Sequence, residues 1–294
     1  MILLQSAVDD HRADALEAFC CEELSPWWLV RPNPTDPLQL QGAFDDRESA
    51  RAAWEELRST FPELPADPDT LEEQPDEDWM LAYRHHLHPW QSGPLRWIPE
   101  WERAEHFIQP YQRVVYLDSG LAFGTGSHET TRLCARSLVR FARERGDRPF
   151  SVVDAGCGSG ILALSAAVLG ARPVRGFDSD PEAVRVSREN AAANGREGDI
   201  EWLEAGMEEG LAGPAADLVL ANIQADVLRI YADELLRAVA PGGRLVLSGI
   251  LAEEAPALRE FYAARAGTAG FAPATPRLLA DGAWAALALD RPPS

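Results

Sequence analysis

The chain has 294 residues, 46% of them hydrophobic and 25% charged, and carries a formal net charge of −20. This is the composition of a globular protein with room for one large domain and a smaller one, and no apolar run approaches the roughly 18 residues that a membrane-spanning helix requires. All 27 basic residues are arginine, which excludes Schiff-base chemistry on an enzyme lysine and a Walker-type phosphate lysine.

Cys20 and Cys21 are adjacent, and Cys134 and Cys157 are isolated. That spacing makes neither a disulfide framework nor a zinc site, and it fits the reducing cytoplasm. The start, Met1-Ile2-Leu3-Leu4-Gln5, lacks the basic residues and apolar core expected of a signal peptide. Charge is uneven: residues 1–117 hold 23 acids against 9 arginines, and residues 118–294 hold 24 against 18. Such a surface repels nucleic acid and attracts basic protein partners, although solubility alone accounts for it equally well.

Residues 1–75 read as a small α/β domain. A strand over 2–8 leads to a helix with Leu16, Phe19, Cys20 and Leu24 on one stripe. Strands over 27–31 and 38–44 are separated by Pro32, Pro34 and Pro37. Asp45 and Glu48 have capping-box spacing, followed by a helical stripe of Ala50, Trp54, Leu57 and Phe61. The order β-α-β-β-α predicts a ferredoxin-like unit whose last strand, over 70–74, is weakly marked. Residues 63–78 carry eight acids, three prolines and no arginine, which predicts a solvated loop or domain edge.

Residues 76–117 read as an ordered connector rich in Trp, His and Pro, with strands over 95–98 and 114–117. His85-His86-Leu87-His88 has no Cys or acid at ligand spacing, so a surface cluster is expected there and no metal. The second, larger domain spans residues 118–294. It opens with Asp118-Ser119-Gly120-Leu121-Ala122-Phe123-Gly124-Thr125-Gly126-Ser127-His128-Glu129-Thr130-Thr131 and a helix with Cys134, Leu138 and Phe141 on one face. Ser127 as N-cap with Glu129 in the first turn is one reading; a loop closing over a ligand, with Phe123 exposed in it, is the other.

The strongest motif is Val152-Val153-Asp154-Ala155-Gly156-Cys157-Gly158-Ser159-Gly160-Ile161, an apolar strand, a glycine-rich turn and the start of a helix. Glycines there let a ligand approach bare backbone at a helix N-terminus. A dinucleotide fingerprint would place its third glycine at Ile161, so the pattern is Asp-x-Gly-x-Gly-x-Gly instead. A second strand ends at Asp178, where a carboxylate accepts hydrogen bonds from both ribose hydroxyls of a nucleoside. Cys157, inside the turn, reads as a small filler.

Asp180 and Pro181 start the next helix and Asn194-Gly195 end it. A strand over 200–204 leads into Ala205-Gly206-Met207. Another, over 217–223, is followed by one helix carrying Leu228, Tyr231 and Leu235. Pro241-Gly242-Gly243 turns into a strand over 244–250, and a helix to about residue 265 and two closing strands follow. Alternation of strand and helix predicts a doubly wound, mostly parallel, seven-stranded sheet, with ligands at the carboxyl ends of the strands, where Asp154, Asp178, Met207 and Asn222 lie.

The glycine turn with Asp178 resembles the cofactor site of S-adenosylmethionine-dependent methyltransferases with the Rossmann-like fold. More narrowly, the chain resembles the PrmA-type methyltransferases, which trimethylate lysines of large-subunit ribosomal protein eleven. The resemblance spans about residues 79–290. It rests on Gly120-Leu121-Ala122-Phe123-Gly124-Thr125-Gly126-x-His128-x-Thr130-Thr131, on the stretch 154–160 with Gly176-Phe177-Asp178-Ser179-Asp180, on 217–223, and on 241–251. Asp118-Ser119-Gly120 departs from the family's Asp-Pro-Gly.

The resemblance implies S-adenosyl-L-methionine as cofactor, held by Gly124, Thr125, Gly126, Thr131, Asp154, Gly156, Gly158, Gly160, Asp178, Ser179, Gly206, Met207 and Asn222. It implies that Asn222, His128 and Phe123 serve catalysis and that the N-terminal domain recognises the substrate. The implied reaction is in-line attack of a lysine amine on a sulfonium methyl, which needs alignment and a neutral amine but no metal or enzyme nucleophile. Deprotonating a lysine of pKa ~10.4 near neutrality costs about 4 kcal/mol, and an apolar pocket with Phe123 as a wall lowers that. A cytoplasmic monomer acting on a basic protein, without nucleic acid or membrane contact, is expected. Two alternatives stand beside it: the same chemistry on the beta subunit of electron-transfer flavoprotein or on a small amine, and an inactive cofactor-binding interaction protein.

Overall fold

The computed structural model describes residues 2–9, 16, 26–30, 37–73, 88–118, 128–271 and 275–293. The chain divides into two compact units, residues 1–83 and 84–294.

In the first unit, β1 (Ile2–Val8) lies between β3 (Leu38–Phe44) and β4 (Thr70–Glu73), and β2 (Trp27–Val30) pairs with the far side of β3. All pairs are antiparallel and the order is β2-β3-β1-β4, a ferredoxin-like arrangement. Alternation along β1 sends Ile2, Leu4 and Val8 into the core. Helix α1 (Arg47–Thr60) covers that core with Ala50, Trp54 and Leu57. Its cap differs by one residue from the expected Asp45–Glu48 box. Asp46 accepts from the Glu48 and Ser49 N–H groups at 3.0 and 2.8 Å, and Ser49 Oγ takes the reciprocal bond from the Asp46 N–H. Serine at N3 serves as well as Glu because its short hydroxyl reaches the cap backbone directly. Leu16 is helical and fully buried. Phe19, Cys20 and Leu24 lie outside the described residues, as do His85 and His86.

The second unit starts with a three-stranded sheet. β5 (Trp90–Ser92) and β6 (Leu95–Pro99) form a hairpin, and β7 (Arg113–Leu117) runs parallel to β6 after a 3₁₀ turn over Glu100–Glu105. Residues 88–117, read above as part of a connector, share the larger unit's core. Leu95, Trp97, Val115 and Leu117 pack with helices α2 (Glu129–Arg145) and α3 (Ile161–Val168), and the Trp97 indole donates to Ser165 Oγ at 2.9 Å.

The main sheet has seven strands: β8 (Val152–Ala155), β9 (Val174–Asp178), β10 (Ile200–Glu204), β11 (Ala216–Asn222), β12 (Val239–Leu251), β13 (Arg277–Asp281) and β14 (Trp284–Asp290). Their order is β10-β9-β8-β11-β12-β14-β13, with the first five parallel and β14 antiparallel to both neighbours. Period-two alternation sends Val152 to one core and Val153 to the other, so both faces are covered. The order reverses between β8 and β11, which opens a crevice at their carboxyl ends.

The remaining helices are α4 (Pro181–Ala193), α5 (Met207–Leu211), α6 (Ala225–Ile230), α7 (Ala232–Arg237) and α8 (Ala255–Ala266). The single helix expected to carry Leu228, Tyr231 and Leu235 is two short ones, broken at Tyr231. The break leaves both leucines fully buried, and the buried Tyr262 hydroxyl of α8 donates to the Leu228 carbonyl at 2.6 Å. Among the described residues no helix is long and apolar enough to cross a membrane.

Candidate active site

The glycine turn joins β8 to α3. Gly156, Gly158 and Gly160 have φ of +69°, +53° and +78°, a region that side-chain-bearing residues rarely adopt. The turn is tied to the next strand: the Gly156 and Cys157 N–H groups donate to the Phe177 carbonyl at 3.0 and 2.9 Å. Gly158 N–H donates to Asp178 Oδ2 at 2.9 Å, and Asp180 N–H to Asp178 Oδ1 at 3.1 Å. These two bonds fix the Asp178 carboxylate and leave lone pairs on both oxygens. Burial pushes the Cys157 thiol up, so the cysteine is a protonated filler next to Ser187.

Beside the turn lies a cavity of about 540 Å³ at the carboxyl ends of the parallel strands. Gly156, Gly158, Asp178, Ser179, Gly206, Met207, Asn222 and His128, all singled out from sequence, line it. Asp154, Gly160 and Thr131 do not; they stand behind its wall. Asp154 is 1% exposed and accepts from the Ala163 N–H at 2.9 Å, with its Oδ1 buried and unpartnered. Burial drives its carboxyl well above the usual range and the nearby Asp178 adds to that, against the Ala163 bond. Gly160 is the N-cap of α3. Thr131 is fully buried on α2, where its Oγ1 accepts from Asn222 Nδ2 at 3.2 Å. Phe123, Gly124, Thr125 and Gly126 lie outside the described residues.

Asn222 ends β11, and its Oδ1 is buried without a hydrogen-bond partner. An amide oxygen stranded in that way is costly unless a ligand donor meets it. His128, rather than Ser127, is the N-cap of α2, and its Nδ1 accepts from the Thr130 N–H at 3.4 Å. Nδ1 also lies 2.8 Å from Thr130 Oγ1. Its face meets Trp284 edge-on, with centroids 4.9 Å apart.

Trp284, Ile223, Gln224, Val227, Phe177, Ala205, Thr130 and Gly249 line the cavity without having been singled out as site residues. Gly249 had a signal, a glycine inside a strand. With φ of +82° it forms the irregularity in β12 opposite β14, and a Cβ there would lie 2.4 Å from the Ile223 carbonyl. Trp284 had none, because β14 reaches the site only through the antiparallel closure of the sheet.

The cavity fits an adenosine-bearing sulfonium: it has the volume of a small-molecule site and is lined both by the fixed Asp178 carboxylate and by Asn222, whose amide oxygen has no partner. Fold and site together define an S-adenosylmethionine-dependent methyltransferase of the Rossmann-like class. Within that class the chain belongs to the ribosomal protein L11 methyltransferase (PrmA) family, whose model matches residues 24–291. It is 37% identical over 273 residues to the ribosomal protein L11 methyltransferase of Thermus thermophilus, covering 90% of this chain and all of that one. The enzyme of the same name from Vibrio cholerae is 43% identical over 194 residues, 65% of this chain but only 62% of the relative's length. Among solved structures, the ribosomal protein L11 methylase of Lactobacillus delbrueckii subsp. bulgaricus superposes with a TM-score of 0.59 at 30% identity, covering 70% of this chain and 99% of that one.

Proposed function

We propose that this protein transfers methyl groups from S-adenosyl-L-methionine to lysine amines of ribosomal protein L11, in the cytoplasm. The observation that carries the reading is the buried, unpartnered Asn222 Oδ1 in the cavity that also holds Asp178. When bound, the cofactor supplies a methyl already activated by its cationic sulfur. The chain's part is binding and alignment. Asp178, Ser179 and the bare backbone of Gly156 and Gly158 hold the nucleoside end, with Gly206 and Met207 beside them. Asn222 Oδ1 accepts an N–H of the incoming amine and turns its lone pair toward the methyl. His128 is held as a helix cap by Nδ1, which leaves its ring to shape the wall with Trp284 rather than to act as a base there. Residues 1–83 recruit the basic substrate through their carboxylates.

The test is incubation with labelled cofactor and purified ribosomal protein L11, followed by mass spectrometry of the product. Mass additions in steps of one methyl on lysine peptides are expected. A cofactor that binds while ribosomal protein L11 stays unmodified would reject the substrate and leave the cofactor site standing.

A further inference from the structure

Three polar side chains lie along one stripe of α4 and its C-cap. Ser187 Oγ donates to the Gly158 carbonyl at 2.8 Å. Asn190 Nδ2 donates to the Ser159 carbonyl at 2.9 Å, while its Oδ1 accepts the Asp118 N–H at 3.0 Å. Asn194 accepts the Tyr116 N–H at 2.8 Å and donates to the Tyr116 carbonyl at 2.6 Å. Ser187 and Asn190 are buried, at 0% and 3% exposure. Asn190 therefore bonds both the glycine turn and the exit of β7, and its two partners fix which end of the amide faces which.

We infer that Asn190 is a positioning residue for the methyl-donor site. It acts through the glycine turn, which it holds in register with the chain at Asp118. The inference rests on the proposal that this turn seats the donor. A turn with three left-handed glycines loses more backbone freedom on folding than the same turn with other residues in their place, and pinning its carbonyls from outside holds it in one shape. Gly158 gives its N–H to Asp178 and its carbonyl to Ser187; Ser159 gives its carbonyl to Asn190. Loosening the Ser159 end lets the Gly158–Asp178 wall shift, and a wall that must be ordered on binding lowers affinity.

Asn190→Asp separates this from mere packing. The variant has nearly the same shape and still accepts the Asp118 N–H, but in its carboxylate form it has no donor for the Ser159 carbonyl. Calorimetric titration with S-adenosylhomocysteine should show Kd raised about tenfold, the equivalent of one lost hydrogen bond. Turnover at saturating donor should change far less than KM for the donor. Asn194→Ala frees Tyr116 and leaves the glycine turn alone, so it should lower Tm with Kd unchanged. Asn190→Ser takes the place of Asn190→Asp if the latter does not fold. A lowered Tm with unchanged Kd in the Asn190 variant overturns the inference, since Asn190 would then only support the fold. Asp178→Ala is run alongside: if it too binds with unchanged Kd, the glycine turn is not the donor site, and the reading falls with the inference.

Discussion

Asn222 at the end of β11 donates through Nδ2 to Oγ1 of Thr131 on α2, 3.2 Å away and 91 residues earlier in the chain. The bond fixes the amide and leaves Oδ1 buried without a partner at a residue that lines the cavity. Thr131→Val removes the acceptor at nearly constant volume and should lower turnover about tenfold with donor affinity unchanged, whereas Thr131→Ser should restore it. Asn222→Ala should be more damaging, by about 10- to 100-fold in kcat at saturating donor. Stopped-time assays with ribosomal protein L11 check both; equal turnover in Asn222→Ala would mean that another group orients the amine.

Asp178 is fixed by two backbone N–H groups with lone pairs remaining, so Asp178→Ala should weaken donor binding about 10- to 100-fold. Gly158→Val should also weaken it, because a branched residue cannot hold φ of +53° without strain. Calorimetry with S-adenosylhomocysteine measures both, and unchanged affinity in Asp178→Ala removes the assignment.

Asp154 supplies a pH dependence. Burial holds its carboxyl well above the ordinary value near 3.8, so the folded state binds this proton more tightly than the unfolded chain. The stability it contributes in acid is lost as pH rises from about 3.8 toward the raised value. Asp154→Asn does not titrate and keeps an acceptor for the Ala163 N–H. The Tm of the variant should therefore gain on that of the unsubstituted protein between pH 4 and pH 8 in thermal scans. A difference independent of pH would place Asp154 at an ordinary pKa.

Residues 1–83 carry 20 carboxylates and 5 arginines and have a hydrophobic core of their own. Deleting them should leave donor binding nearly intact and abolish methylation of ribosomal protein L11. Raising salt from 50 to 300 mM shortens the Debye length from about 14 to about 6 Å and should raise KM for the protein substrate with kcat little changed. A truncated enzyme that methylates ribosomal protein L11 at full rate would show that the acids serve solubility alone.

Much of this protein is local chemistry and was legible as such. Three glycines between an apolar strand and a helix dictate the turn. Asp180 before Pro181 starts α4, and alternation in residues 2–8 and 38–44 marks strands because each face meets a different medium. These features depend on neighbours within a few positions, so sequence by itself determined the doubly wound sheet, the ferredoxin-like unit and the family. What lay beyond it were contacts made across the fold. Whether Asp154 and Thr131 face a ligand or stand behind the wall depends on which helix covers them. The split at Tyr231 accompanies a hydroxyl from α8, and Trp284 reaches the cavity because β14 runs antiparallel beside β12. Asn190 looks like any helical asparagine until Asp118 and Ser159, 72 and 31 residues away, meet its two ends. Spacing along a chain encodes which face a side chain takes; only packing decides what stands opposite it, and hydrogen bonds are made with whatever stands opposite.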